Sequence, residues 1–507
     1  MDIDMTQRPG ADLKKIRITA AAIWSVISLI GGILFIIRYY EQGLKNPYCM
    51  KISTSGQITW AVIAYIFAVL IIYLICSFAV NAIFENGRER KIVMYALPFL
   101  LLFLAACAGK YFKLHLTPDT LIGFYDDGDE RNIWDAAARL YPFFFVYTSE
   151  LYLICFFVIP FMLAPTIIKI TFEALVLGYA VFRIREHYDS RLAYLLYILL
   201  LMVRTVCGMG IRVHRMHWYG PLYLFFAVKL YFDSREGEGS SQYNLWQVLF
   251  MSVIAAILTV WRREGMYLFL FGAVEMILVY ARNREKKVTS RNAVCVLLIF
   301  AVTQALFYLP AAKNGFGETG TTYGAFIVHM LGEESFDRDK VAGELEIVDK
   351  YMDIEIIDKY NSDLGIRAFE DCMYSWEDWN GGDYYAMRKD PGVTQDEFIS
   401  AVNAIILKEP LVFLLSRFRA FRAASGLFSK NLFIPLAFLL VIFIYSIMRR
   451  NLMLFLLSGG VAGHTAITAL TMPASYFKYF NVMILFSYVF IVVVITDLYH
   501  RRTQSAV

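Results

Sequence analysis

Charge is scarce in this chain of 507 residues: Asp, Glu, Lys and Arg together make up 18% of it, where a soluble globular domain carries about 25%. Apolar residues reach 58% and aromatics 16%, more than a core of its own can bury, so a bilayer has to take the excess. Cysteine is also sparse and odd in number, at seven. Cys76, Cys107, Cys155, Cys207 and Cys295 sit inside apolar runs and only Cys49 and Cys372 in polar stretches, which excludes a disulfide framework. A net charge of +4 is too small to argue for a nucleic-acid partner. The sequence has no phosphate loop of the GxxxxGK[ST] type and no zinc-ligand spacing.

A spanning helix needs roughly 20 apolar residues. Clear runs cover 16–38, 58–84, 92–109, 166–182, 293–309, 432–448, 452–470 and 481–498. Two shorter pairs, 192–206 with 222–232 and 245–260 with 266–280, read as hairpins. The expectation is an all-α polytopic membrane protein of about twelve transmembrane helices, with interfacial helices and a small external domain. Lys14, Lys15 and Arg17 precede the first run and no small-residue cleavage site follows it, so it reads as a retained anchor with a cytoplasmic N-terminus. The short basic connections 88–91, 183–191, 282–291 and 449–450 and the tail at 500–502 then all fall inside, as the positive-inside bias requires. Four regions follow: 1–91 with two extra helices, 92–310 as a membrane module with an acidic first loop at 110–141, 311–430 as an external domain, and 431–507 with three last helices and a cytoplasmic tail.

The external stretch 311–410 holds roughly 21 acidic and 9 basic residues, enough chain for a small core. Thr394 and Glu397 have capping-box spacing. Leu411, Leu414, Leu415, Phe418 and Phe421 continue on one side, interrupted by Arg417, Arg419 and Arg422; 408–424 is expected to lie as a helix on the outer membrane surface.

Cations on the external face run against the topological bias, so each cluster asks for a reason. Arg204, Arg212, His214, Arg215 and His217 fall at the tip of the first hairpin, and Arg262, Arg263 and Glu264 at the tip of the second. Arg417, Arg419 and Arg422 lie on the surface helix, and Lys478 follows Tyr476. Hairpin arms of about 15 residues reach about 23 Å, short of a hydrocarbon core of about 30 Å. Their tips would line a recessed cavity in which guanidinium groups need anionic partners, and a phosphate suits the planar fork of Arg. The plainer account is that these cations snorkel to lipid headgroups or pair with nearby carboxylates.

The opposing charge is the group Asp126, Asp127, Asp129, Glu130 and Asp135. Adjacent carboxylates repel each other's ionised forms, which raises at least one pKa toward the range of a general base. The same group suits a divalent metal such as Mg or Mn, or a solvated acidic turn. Trp134, Ala137, Leu140 and Tyr141 follow at helical spacing, so the carboxylates would open an interfacial helix. Lys169 and Glu173 are placed to pair along one helix. Glu275, Lys229 and His464 suit either a proton path or helix–helix hydrogen bonds. Tyr374, Trp376, Trp379, Tyr384 and Tyr385 suit sugar stacking or ordinary packing.

In chain order, Asp129-Glu130-Arg131-Asn132-Ile133-Trp134-Asp135-Ala136, the turn Arg262-Arg263-Glu264-Gly265, the large external segment and Pro473-Ala474-Ser475-Tyr476-Phe477-Lys478-Tyr479 resemble the GT-C class of membrane glycosyltransferases, in particular the protein-mannosyltransferase-like branch that uses polyprenyl-phosphate sugars. Lys478 stands where that branch has Arg, two helices precede the one that opens the family fold, and the carboxylates lie well past their helix. The resemblance implies a catalytic base among Asp129, Asp126, Asp127 and Glu130. It also implies donor phosphate binding by Arg262, Arg263, Arg212, Arg215, Arg419, Lys478 and Tyr476, with no cofactor required and a divalent metal optional. The implied partners are a polyprenyl-phosphate sugar, a glycan, lipid or protein acceptor and membrane lipids, at a bacterial plasma membrane with the active site outside. The rival readings are a polymerase or ligase of lipid-linked glycans and a lipid or glycan flippase. The second predicts inverted repeats, which the sequence does not display.

Overall fold

The computed structural model describes residues 9–41, 54–85, 87–110, 157–159, 164–202, 215–235, 244–261, 263–282, 288–313, 320–364, 385–388, 390–426, 431–472 and 477–505. Among them the fold is all-helical, at 88% helix with no strand. The membrane part contains α1 (Pro9–Glu41), α2 (Thr54–Phe84), α3 (Arg88–Lys110), α4 (Ala164–Tyr188), α5 (Leu195–Met202), α6 (Arg215–Asp233), α7 (Leu245–Trp261), α8 (Tyr267–Tyr280) and α9 (Ser290–Lys313). The acidic segment forms α10 (Gly320–Leu331), α11 (Ala342–Tyr351), α12 (Ile354–Leu364) and α13 (Gln395–Lys408). Then come α14 (Pro410–Ala424), α15 (Phe433–Met448), α16 (Leu452–Thr471) and α17 (Asn481–Ser505).

Among the described residues five helices are long and apolar enough to cross a membrane: α1, α2, α9, α16 and α17. Their surroundings differ. Only 22% of the apolar stretch of α1, α2 and α9 is buried inside the protein, against 83% for α17. Ile23, Ile27, Leu34, Leu70, Leu74, Leu298 and Leu306 all face outward, an apolar surface of the kind that lipid accepts and water does not. α17 is the central post, packed on α4, α5, α6, α15 and α16. Between α3 and α4 the backbones nearly touch: a Cβ on Gly178 would lie 2.6 Å from the Ala96 nitrogen, so only glycine fits there.

A series of ion pairs ties one end of the bundle together. Arg17 meets Glu85 at 2.9 Å and Arg88 meets Glu186 at 3.1 Å. Asp233 receives Arg183 at 3.4 Å and Lys229 at 2.8 Å, and Asp497 receives Arg235 at 3.4 Å and Arg501 at 2.8 Å. The start of α3 and the ends of α2, α4, α6 and α17 therefore share this basic end. Tyr280 at the end of α8 bonds Asp233, and Tyr445 near the end of α15 bonds Asp497. The ends of α8 and α15 thus lie at the same basic end.

The acidic segment has a core separate from that of the bundle, built from α10 to α13 around Phe326, Val341, Val348, Met352, Tyr360, Phe398 and Ile405. Thr394 caps α13, its hydroxyl accepting from the Glu397 N–H while Glu397 accepts from the Thr394 N–H, as the spacing predicts. The expected helix 408–424 is corrected at its start: α13 and α14 are bent by 100° around Glu409, because Pro410 lacks the N–H that would continue α13 and instead opens a new helix. α14 bridges the two cores, with Val412 in the outer one and Ala420, Phe421 and Ala424 in the bundle.

Candidate functional site

The end of the bundle away from the ion pairs gathers segments that are far apart in sequence. α6 starts there at Arg215 rather than at the expected 222, which puts His217 into its first turn, where it is buried. The turn after α7 is short: Arg263–Met266 forms one 3-10 turn leading directly into α8. A Cβ on Gly265 would lie 2.8 Å from the Tyr219 hydroxyl and 2.2 Å from the Leu258 carbonyl oxygen, so this turn sits hard against α6 and the end of α7. Phe477–Phe480 forms another 3-10 turn touching α6, α16 and α17. Beside it a Cβ on Gly220 would lie 2.4 Å from the Asn481 amide. With 17 and 14 residues, α7 and α8 rise about 26 and 21 Å.

α14 closes this end from the side. Arg417, expected on its membrane-facing surface, is instead only 2% exposed. Its guanidinium donates to the Met472 carbonyl at 3.1 Å and to Nδ1 of His329 on α10, and lies 5.2 Å over the Phe326 ring. A guanidinium always donates, so Nδ1 accepts and the His329 proton sits on Nε2. Arg419 pairs with the buried Glu333 at 3.0 Å while remaining half exposed, so nearby carboxylates account for part of this cluster. Phe421 packs edge-on against Phe480, centroids 5.0 Å apart. Arg417 thus joins the acidic domain, α14 and the end of α16.

Beneath these turns lies a polar cluster inside the bundle. Tyr219 stacks on His464 at 5.8 Å, Tyr267 meets His464 edge-on at 6.3 Å, and Tyr223 meets Tyr267 at 6.3 Å. Glu275 is buried within electrostatic reach of Tyr223 and Tyr267. Its Oε2 has no hydrogen-bond partner among the described residues, while the Tyr223 and Tyr267 hydroxyls lie within hydrogen-bonding reach of each other. Buried polar atoms in such a group call for water or a ligand. Glu275 and His464 therefore face one cluster, while Lys229 is taken up by Asp233 at the basic end and leaves that group. The tyrosines carry no motif; the one signal for them is the pairing of bulky rings with Gly265 and Gly460, the latter placed so that a Cβ would lie 2.7 Å from the Tyr267 ring. Lys169 and Glu173 pair along α4, buried, as their spacing predicts.

Of the residues singled out from sequence, Asp126, Asp127, Asp129, Glu130, Asp135, Arg212, Arg262 and Tyr476 lie outside the described residues, as do Tyr374, Trp376, Trp379, Tyr384, Cys49 and Cys372. Arg215, Arg263 and Lys478 are placed by their backbone, at the start of α6 and in the two 3-10 turns. Among the described residues no three His, Cys, Asp or Glu side chains cluster as metal ligands. No family model, curated protein or solved structure matches the chain.

Proposed function

We propose that the chain is an integral-membrane glycosyltransferase of the GT-C type, about twelve-spanning, that moves a sugar from a polyprenyl-phosphate donor to an extracytoplasmic acceptor at a bacterial plasma membrane. The basic end with both termini is cytoplasmic, and the opposite end, with the acidic domain, faces outside. One observation carries the reading. The backbone positions of Arg215, Arg263 and Lys478, together with Arg417 and Arg419 on α14, come from four segments of the sequence and meet at the same end of the bundle, beside the short α7–α8 hairpin.

In this mechanism the donor's phosphate is held by Arg262 and Arg263 with Arg212, Arg215, Arg419, Lys478 and Tyr476. One first-loop carboxylate, Asp129 first among Asp126, Asp127 and Glu130, accepts the proton of the acceptor hydroxyl as its oxygen attacks the anomeric carbon. The bond from that carbon to the phosphate oxygen breaks, the cations stabilise the charge on the departing lipid phosphate, and attack from the opposite face inverts the anomeric centre. The test is transfer from a polyprenyl-phosphate sugar by purified protein. Asp129→Asn is expected to lower turnover by roughly 10²–10⁴-fold and Arg263→Ala to abolish donor binding, both with folding retained. Full activity in both variants refutes the assignment.

A further inference from the structure

At the basic end, away from the site just described, a cavity of about 300 Å³ opens between the ends of α6, α8, α15 and α17. Its volume is at the lower limit of small-ligand pockets, which span about 300–1,000 Å³. Arg235, Arg282, Arg449, Arg450 and Arg501 line it, and Asp497 is the one acid among its lining residues. Asp497 is already occupied, accepting from the Tyr445 hydroxyl, from Arg501 at 2.8 Å and from Arg235 at 3.4 Å. Arg235 is also held in place by Tyr188 and Tyr231, whose hydroxyls it reaches at 2.6 and 2.5 Å. Arg282, Arg449 and Arg450 have no carboxylate partner among the described residues. The bias toward basic cytoplasmic loops explains a cation at each helix end, but not the convergence of five on one hollow.

The backbone supplies a second, independent observation. Arg450 has φ +49°, in the left-handed region. It occupies the position after α15 that helices usually give to glycine: Arg450 N–H bonds Ile447 O at 3.0 Å and Asn451 N–H bonds Ser446 O at 2.9 Å, the paired bonds of a Schellman ending. Asn451 then caps α16 by accepting from the Leu454 N–H at 3.1 Å, so the turn is fixed at both ends. A side chain is carried here where none would be easier, and Arg450 lines the cavity.

We propose that this cavity binds a phosphate group, held by Arg282, Arg449 and Arg450 against the fixed frame of Arg235, Asp497 and Arg501. Guanidinium forks suit phosphate oxygens, and basic pockets between helices at this level of a membrane take anionic headgroups. The same chemistry is met by a phospholipid headgroup or by a free phosphate, and the inference is independent of the reaction at the other end. Full-length protein, stripped of bound lipid in detergent, is given equal amounts of phosphatidylglycerol and phosphatidylcholine and examined by native mass spectrometry; thermal unfolding is followed in inorganic phosphate against chloride at matched ionic strength. Roughly tenfold preference for phosphatidylglycerol, lost in Arg282→Ala and in Arg450→Gly, identifies a headgroup. Stabilisation by inorganic phosphate without lipid preference, lost in the same variants, identifies a free phosphate. Arg450→Gly relieves the backbone, so its unfolding temperature without ligand should equal or exceed that of the unaltered protein. Absence of both effects, or their persistence in both variants, overturns the proposal.

Discussion

Acid should loosen the joint between the acidic domain and the bundle through one histidine. His329 on α10 is fully buried, and its Nδ1 accepts from Arg417; burial first, and then the Arg417 charge, hold its pKa well below the usual 6.5. A histidine depressed in the folded state contributes its full stability above its unfolded pKa and loses it as pH falls below that value toward the folded one. One unit below an unfolded pKa of about 6.5, near pH 5.5, the loss is about 1.4 kcal/mol, a tenfold change in the opening equilibrium. Glu333 on the same joint is pushed up by burial and works in the opposite direction, but it is present in wild type and variant alike and cancels in a comparison. The assay is amide hydrogen exchange of α10 and α14 at about pH 7.5 and about pH 5.5, corrected for intrinsic rates, in the wild type and in His329→Gln. Protection in the wild type should fall about tenfold relative to the variant. Equal pH dependence in the two proteins would show that His329 is not held neutral by its surroundings and would refute the argument.

Gly265→Ala should destabilise the protein by about 1–3 kcal/mol, read as a lower unfolding temperature in detergent, because the new methyl meets the Leu258 carbonyl rather than a side chain that can turn aside; an unchanged temperature would show that the α7–α8 turn is not seated against the end of α7. Glu275→Gln should leave stability equal or raised, since it keeps the shape while removing a buried acid with an unpartnered oxygen; a loss above about 1 kcal/mol would mean that the carboxylate is paired after all.

Which parts were legible in advance follows from what each signal measures. Apolar runs separated by Arg and Lys report crossings and ends, so the basic connections were recognisable as one end, and Lys229, four residues from Asp233, pairs with it on the same helix. Thr394 with Glu397 and Lys169 with Glu173 are local pairs at fixed spacing and form as read. α14 shows where periodicity fails. Leu411, Leu414, Leu415 and Phe418 make its apolar stripe and are exposed, whereas Ser416, Arg417 and Ala420 are buried. In a membrane the apolar stripe can face lipid while small and polar residues face protein, so the pattern fixes the helix but not which of its faces the protein covers. The tyrosine cluster was illegible for a different reason: Tyr219, Tyr223, Tyr267 and His464 come from three helices and meet only through packing.

The first two helices make a small core of their own, Ala21, Ala68, Ile72 and Cys76 against Phe157 and Val158, and α2 adjoins the rest chiefly through α3. They are joined to the bundle like a porch to a house. A chain beginning near Arg88 should keep its central post, its inward tyrosines and its acidic lobe, which makes the porch the part on which the rest of the house leans least.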